Sequence, residues 1–170
     1  MIDLVPFIRD VPDFPKKGIT FKDITPLLGD AHALAAAIDR LVSPWYGKGI
    51  TKVVGIESRG FILAPVVALK LGVGFVPMRK PGKLPWRAIS QSYGLEYGSD
   101  TIEIHEDSLV KADQVLLVDD VLATGGTMGA ALSLVRRLGA TPAGAAFLID
   151  LAFLGGNQKL GVPVTAVLTY

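Results

Sequence analysis

The sequence contains no cysteine, which excludes a disulfide framework and any thiolate metal site. Histidine is scarce as well: His32 and His105 are the two present, and neither has a nucleophile or ligand partner at a telling spacing, so both read as non-catalytic. An excess of one charge is also missing. Seventeen Lys+Arg against sixteen Asp+Glu leave a net charge of +1, which gives no general pull toward nucleic acid or an anionic membrane. No apolar run approaches the ~20 residues of a membrane helix. The opening MIDLVPFIRDVPDFP carries acids and prolines and does not read as a secretory leader. GxxxxGK[ST] and GxGxxG are both absent, which argues against P-loop and dinucleotide sites.

What is present is a chain of 170 residues, 50% of them hydrophobic. That length and composition predict one globular domain over residues 1–170 with a sizeable core, and they exclude general disorder. The expected setting is cytoplasmic.

One stretch organises the rest. Val115 to Thr127 reads VLLVDDVLATGGT. Its four leading apolar residues do not alternate with polar ones, so they predict a strand buried on both faces. An acidic turn, Asp119-Asp120, and a small-residue loop follow. Met128, Ala131, Leu132, Val135 and Leu138 then share one helical stripe that Gly139 ends. Consecutive N–H groups of a glycine-containing loop at a helix N-terminus form an anion site, and Thr124 and Thr127 add hydroxyl donors. Asp119 and Asp120 would repel a phosphate in direct contact. They fit one step away, as acceptors for sugar hydroxyls or as outer partners of a metal ion. The parts together describe a sugar-phosphate site; the plainer alternative is a simple strand-to-helix turn.

Two further units repeat the logic. Residues 52–56 (KVVGI) predict a buried strand, followed by the polar turn Glu57-Ser58-Arg59-Gly60 and a helix in which Pro65 should sit early or cause a kink. Arg59 is a candidate anion clamp or a surface salt bridge. Residues 73–78 predict a third strand. The run RKPGKLPWRAISQS follows, with Arg79, Lys80, Lys83 and Arg87 inside nine residues that hold no acid. A loop this long in a compact domain reads as a lid, and its charge suits a polyanion; an ordinary solvated loop is the alternative. YGLEY (93–97) and TIEIH (101–105) alternate, which predicts a ribbon turning at Gly98-Ser99-Asp100, with Glu96 near the end of its first arm. Strands are also expected at 143–150 and 164–168. At the N-terminus, residues 1–10 predict a short amphipathic helix. Phe14, Ile19, Phe21, Ile24 and Leu27 mark a covering segment, and Asp30 caps a helix that ends before Ser43-Pro44. Strands alternating with helices predict an α/β fold with a mostly parallel central sheet flanked by helices. Ligands in such sheets bind at the C-terminal strand ends, where Glu57–Gly60, Arg79–Lys83, Asp119–Thr127 and Asp150-Leu151 all fall.

The Val115–Thr127 run resembles the phosphoribosyl-pyrophosphate (PRPP) signature of type I phosphoribosyltransferases. DFPKKGITFKDITPLL, GIESRGFILAPVVALKLGVGFVPMRKPGKLPW and YGLEYG narrow the likeness to the adenine phosphoribosyltransferase family, over most of residues 8–135. The resemblance implies the type I fold, with an N-terminal hood (1–28) and a flexible lid loop and ribbon (79–105). It implies transfer of ribosyl 5-phosphate from PRPP to adenine N9, giving AMP and pyrophosphate, with Mg²⁺. Ala123, Thr124, Gly125, Gly126 and Thr127 are implied for the 5-phosphate, and Asp119 and Asp120 for the ribose hydroxyls. Arg59, with Glu57 and Ser58 of the same turn and Arg79, Lys80 and Lys83 of the lid, is implied for pyrophosphate. Glu96 is implied for acid/base work, and Thr20, Phe21, Lys22, Val121 and Leu151 for adenine. Some relatives carry Arg where this chain has Lys22. The likeness further implies a cis peptide at Glu57-Ser58, Mg²⁺ bound mainly through substrate oxygens rather than protein ligands, and a homodimer. Rival readings are a phosphoribosyltransferase for another purine, a PRPP-sensing DNA-binding regulator, and a non-catalytic sugar-phosphate binder. The near-zero net charge and the absence of room for a DNA-binding domain weigh against the regulator.

Overall fold

The computed structural model describes residues 2–95 and 98–170. The chain divides into two compact units, Met1–Arg40 and Leu41–Tyr170.

In the first unit, strand β1 (Arg9–Val11) pairs antiparallel with β2 (Phe21–Asp23), and a short helix α1 (Thr25–Gly29) follows. The amphipathic helix expected over residues 1–10 is not formed; only a single 3-10 turn spans Val5–Phe7. Pro6 fits a first turn, but so short a segment cannot sustain a helix without tertiary support, and Arg9 to Val11 spend their backbone groups on β2 instead. The apolar residues of the covering segment divide. Ile24 and Leu27 are buried, whereas Phe14 and Ile19 stand exposed. Helix α2 (Ala31–Val42) starts where expected, with the Asp30 carboxylate accepting from His32 N at 3.0 Å and Ala33 N at 2.8 Å, so that two of the helix's orphan donors are satisfied. It also ends before Ser43.

The second unit is built on a five-stranded sheet. In chain order its elements are β3 (Lys52–Ile56), α3 (Gly60–Leu71), β4 (Gly74–Met78), the ribbon β5 (Ala88–Leu95) and β6 (Gly98–His105), β7 (Gln114–Leu122), α4 (Gly126–Arg137), β8 (Thr141–Asp150) and β9 (Val164–Thr169). The sheet order is β4-β3-β7-β8-β9, and every neighbouring pair is parallel. This is the α/β architecture the alternation of elements predicts. Val115 to Val118 are fully buried, as a strand in the middle of such a sheet requires. On one face, Met128, Ala131, Leu132 and Val135 of α4 pack into a cluster with Val54, Ile56, Leu117, Phe147 and the ribbon residues Ile102 and Ile104.

Three local expectations need correction. Asp119 and Asp120 are not in a turn; β7 runs on to Leu122, because β8 supplies partners up to Leu122↔Asp150. Gly98, Ser99 and Asp100 do not form the ribbon's turn. They open β6, paired with Leu95, Gly94 and Tyr93, since interstrand hydrogen bonding outweighs their turn-forming composition. The lid loop is correspondingly shorter than read, because β5 already begins at Ala88. Of the two positions expected for Pro65, an early turn or the body of the helix with a kink, the structure has it inside α3.

Candidate active site

The winding of the sheet sets the location. From β3 the chain moves outward to β4, then returns to place β7 on the other side of β3. The direction of travel therefore reverses between β3 and β7, which is where an open parallel sheet leaves a crevice beyond its strand ends. The turn after β3 and the loop after β7 flank that position, and residue 79 directly follows β4.

The loop after β7 borders a cavity open to solvent, lined by Asp119, residues 121 to 128 and Phe147. Ala123, Thr124, Gly125, Gly126 and Thr127 all belong to this lining, as does Val121. Gly125, with φ +84°, turns the chain into α4, a left-handed conformation that favours glycine. Gly126 and Thr127 thus form the first turn of the helix, whose free N–H groups and positive dipole end meet the cavity. An anion is the natural occupant.

Asp119 lines this cavity, and Asp120 lies buried next to it in β7. Asp119 Oδ1 accepts from Asp120 N at 2.9 Å, and Asp120 Oδ2 lies 2.8 Å from Arg59 Nε. Burial, and then the neighbouring Asp120 charge, push the Asp119 carboxyl well above its usual range. Burial also raises Asp120, against the opposing pull of Arg59. Both acids would gain from ligand hydroxyls that donate to them. Gly60, at the start of α3, is pressed against this pair: a Cβ there would fall 2.9 Å from Asp119 Oδ1 and 3.0 Å from Val118 O. The turn after β3 can approach β7 this closely only without a side chain at 60.

The basic residues are gathered by carboxylates. Glu57 Oε1 accepts from Lys83 Nζ at 2.6 Å, and Glu57 Oε2 accepts from Lys80 N at 3.0 Å and from Arg79 Nε at 3.3 Å. Burial pushes the Glu57 carboxyl up, but these donors outweigh it and hold the group at about 2. The Glu57-Ser58 peptide is cis, as the resemblance implies. Lys80 Nζ is bonded to Asp100 Oδ2 and lies 3.3 Å from Tyr93 OH. Burial opposes the charge of Lys80, yet the bonds to Asp100 and Tyr93 keep its pKa raised. Arg79 also exchanges both backbone hydrogen bonds with Glu103, which fastens the end of β4 to the ribbon.

Of the remaining predicted residues, Leu151 follows β8 and donates its N–H to Leu122 O at 2.9 Å. Thr20, Phe21 and Lys22 belong to the first unit, where Lys22 Nζ pairs with Asp10 Oδ1 at 2.7 Å. Glu96 lies outside the described residues. Sequence reasoning missed Phe147 in the cavity wall and the Tyr93–Asp100 pair that holds Lys80. Asp100 was masked by its turn-like neighbours, and only its pairing across the ribbon with Tyr93 reveals it.

A family model described as phosphoribosyl transferase domain matches residues 20–160. A relative from Maricaulis maris, named adenine phosphoribosyltransferase, is 55% identical over 99% of this chain and 98% of its own length. The crystal structure of adenine phosphoribosyltransferase from Rhodothermus marinus superposes with a TM-score of 0.94 at 54% identity, covering 98% of this chain and 96% of that one. The Saccharomyces cerevisiae adenine phosphoribosyltransferase, solved with an iminoaltritol bisphosphate and adenine, gives a TM-score of 0.92 at 40% identity, covering 97% and 96%. A switch-point crevice with an acid in its lining and a helix N-terminus beside it is therefore accompanied by likeness along nearly the whole length, and the chain belongs to the phosphoribosyl transferase family.

Proposed function

We propose that the protein is an adenine phosphoribosyltransferase of purine salvage, converting adenine and PRPP to AMP and pyrophosphate. The observation that carries this reading is the cavity at the end of β7, where an anion-binding helix start adjoins Asp119, in a chain 55% identical to a relative of that name over nearly its full length.

The residues divide the substrate between them. Thr124, Thr127 and the N–H groups of residues 123 to 127 take the 5-phosphate, and Asp119 and Asp120 accept from the ribose hydroxyls. Adenine N9 forms a bond to C1 of the ribose as the bond from C1 to the pyrophosphate oxygen breaks, and the N9 proton passes to a base. Positive charge builds on the sugar ring as that bond lengthens, and the nearby carboxylates stabilise it. Glu96 is the residue proposed for the proton. Arg59, Arg79, Lys80 and Lys83 face the diphosphate, with Glu57 and Ser58 shaping the turn that presents Arg59. Val121 and Leu151 supply apolar contact for the base.

Mg²⁺ fits this site as a substrate-borne ion. Asp120 is engaged by Arg59 and Asp119 by Asp120 N, and among the described residues no three His, Cys, Asp or Glu converge on a metal position. Mg²⁺ commonly binds through phosphate oxygens and water with few protein ligands; when bound it would offset charge on the pyrophosphate.

A second copy of the chain is the proposed partner. Ile62, Val66 and Leu69 form a stripe on the outer side of α3, 44%, 38% and 79% exposed, and a helix apolar on all sides expects cover. Small molecules rather than nucleic acid are the substrates. No helix among the described residues is long and apolar enough to cross a membrane, in keeping with a proposed cytoplasmic setting.

The direct test is incubation with PRPP, Mg²⁺ and each purine in turn. AMP from adenine, with little product from hypoxanthine, guanine or xanthine, is expected. Conversion of another base in preference to adenine would overturn the specificity, and no conversion of any base would overturn the activity.

A further inference from the structure

A second loop stands behind the phosphate loop. After β8 and a 3-10 turn at Ala152–Leu154, the chain passes through Gly155 and Gly156 into another short turn, Asn157–Lys159, and Leu160 anchors the segment in the core. Gly156 is buried. Its backbone lies at φ −62° and ψ −40°, a conformation open to any residue, so its lack of a side chain answers to space and not to backbone freedom. A Cβ at 156 would fall 2.2 Å from Ala123 O, 3.1 Å from Ala123 C and 3.0 Å from Gly125 N. Reciprocally, a Cβ at Gly125 would fall 3.0 Å from Gly156 O. The two loops meet backbone to backbone. Lys159 reinforces the contact, its Nζ donating to Thr124 O at 3.4 Å.

The contact has a directional effect. In a trans peptide the carbonyl and the following N–H point opposite ways. With Ala123 O against Gly156 and Thr124 O against Lys159, the N–H groups that follow, those of Thr124 and Gly125, are turned away from the second loop. We infer that Gly156 and Lys159 are positioning residues, which hold the peptide planes of residues 123 to 125 so that their N–H groups are set for the 5-phosphate of PRPP. They touch no substrate themselves. The inference rests on the assignment of residues 123 to 127 to that phosphate. A methyl group at 156 must push the phosphate loop outward by a large fraction of an ångström, a displacement on the scale at which misplacing a binding group costs one to two powers of ten. Nothing in the sequence links Gly155 and Gly156 to a loop some thirty residues earlier.

The test is steady-state kinetics on Gly156→Ala, Lys159→Ala and Thr124→Ala, with thermal melting of each and calorimetric titration with ribose 5-phosphate. Gly156→Ala should raise KM for PRPP about tenfold or more and weaken ribose 5-phosphate to match, with KM for adenine near that of the parent. Lys159→Ala, an exposed site with no packing to lose, should raise KM for PRPP roughly threefold with an unchanged melting temperature. A purely structural role for Gly156 would lower the melting temperature and the active fraction but leave KM for PRPP alone; that result overturns the inference. If Gly156→Ala does not fold, Lys159→Ala decides, and an unchanged KM for PRPP there overturns it. Thr124→Ala separates the two levels. Should it leave PRPP and ribose 5-phosphate binding intact, the phosphate-loop assignment falls and the positioning role with it. Weakening by Thr124→Ala without any effect of the other two leaves the assignment standing and removes only the positioning role.

Discussion

Replacing Glu57 with Gln should lower the protein's stability near neutrality, and the size of the effect should depend on pH. The carboxylate accepts from Lys83 Nζ, Lys80 N and Arg79 Nε and is held at about 2 against an ordinary 4.5. A depressed folded-state pKa contributes stability above the unfolded value and loses it as pH falls through the folded one. At about 1.4 kcal/mol per tenfold change in proton affinity, the fall from 4.5 to about 2 corresponds to about 3 kcal/mol at most. The partners are partly open to water, with 49% of the Lys83 and 34% of the Arg79 side chain exposed. Screening therefore reduces the expected loss to about 1–3 kcal/mol. For a chain of this length, that is a drop of roughly 3–10 °C in melting temperature. Thermal or urea unfolding of parent and Glu57→Gln would be followed at pH 7 and at pH 3.5. The gap between them should narrow by roughly a third to a half at the lower pH, because the parent is then losing what the variant never had. It should also shrink in 1 M salt. A gap that stays the same at both pH values, or no gap at pH 7, would refute the account of Glu57 as an ionised anchor for the basic loop.

Other expectations follow from single features. Glu96→Gln should reduce kcat by ~10²–10⁴-fold with little change in KM for PRPP; undiminished turnover removes Glu96 from the mechanism. Leu69→Lys, placed at the most exposed point of the α3 stripe, should convert a dimer to a monomer in sedimentation; a parent that is monomeric at all concentrations rejects the dimer. Gly144→Ala should cost about 1–3 kcal/mol, since a Cβ there would fall 2.1 Å from Trp45 Cη2 and 2.7 Å from Pro163 O. Trp45 cannot simply step aside, being buried and tied by Nε1 to Thr165 Oγ1 at 3.0 Å. An unchanged urea midpoint would contradict that packing.

Much of the site was legible because its signals are local. Val115 to Val118 are apolar in succession, and only a strand covered on both faces accommodates that pattern. The switch from that run to a helical stripe at Met128 located the loop between them, and residues 123 to 127 do line the cavity. The errors arose where local composition competes with pairing to a distant strand. Gly98-Ser99-Asp100 has the make-up of a turn but pairs with Tyr93 to Leu95. Asp119 and Asp120 look like a strand's end but continue it, because β8 extends alongside.

What the amino-acid order determined by itself was the alternation of elements, the buried strands, and the chemistry gathered where β3, β4 and β7 end. These depend on neighbours within one turn of helix or a few residues of strand. Tertiary structure alone decided the partners. That Glu57 gathers Arg79 and Lys83, that Asp100 holds Lys80, that Gly60 presses on Asp119 and that Gly156 backs Ala123 all require segments twenty or more residues apart, Asp100 and Lys80 at the near end, to be brought into contact. Such contacts follow from the sheet order and from which backbones can approach without a side chain between them. Neither leaves a periodic trace in the sequence.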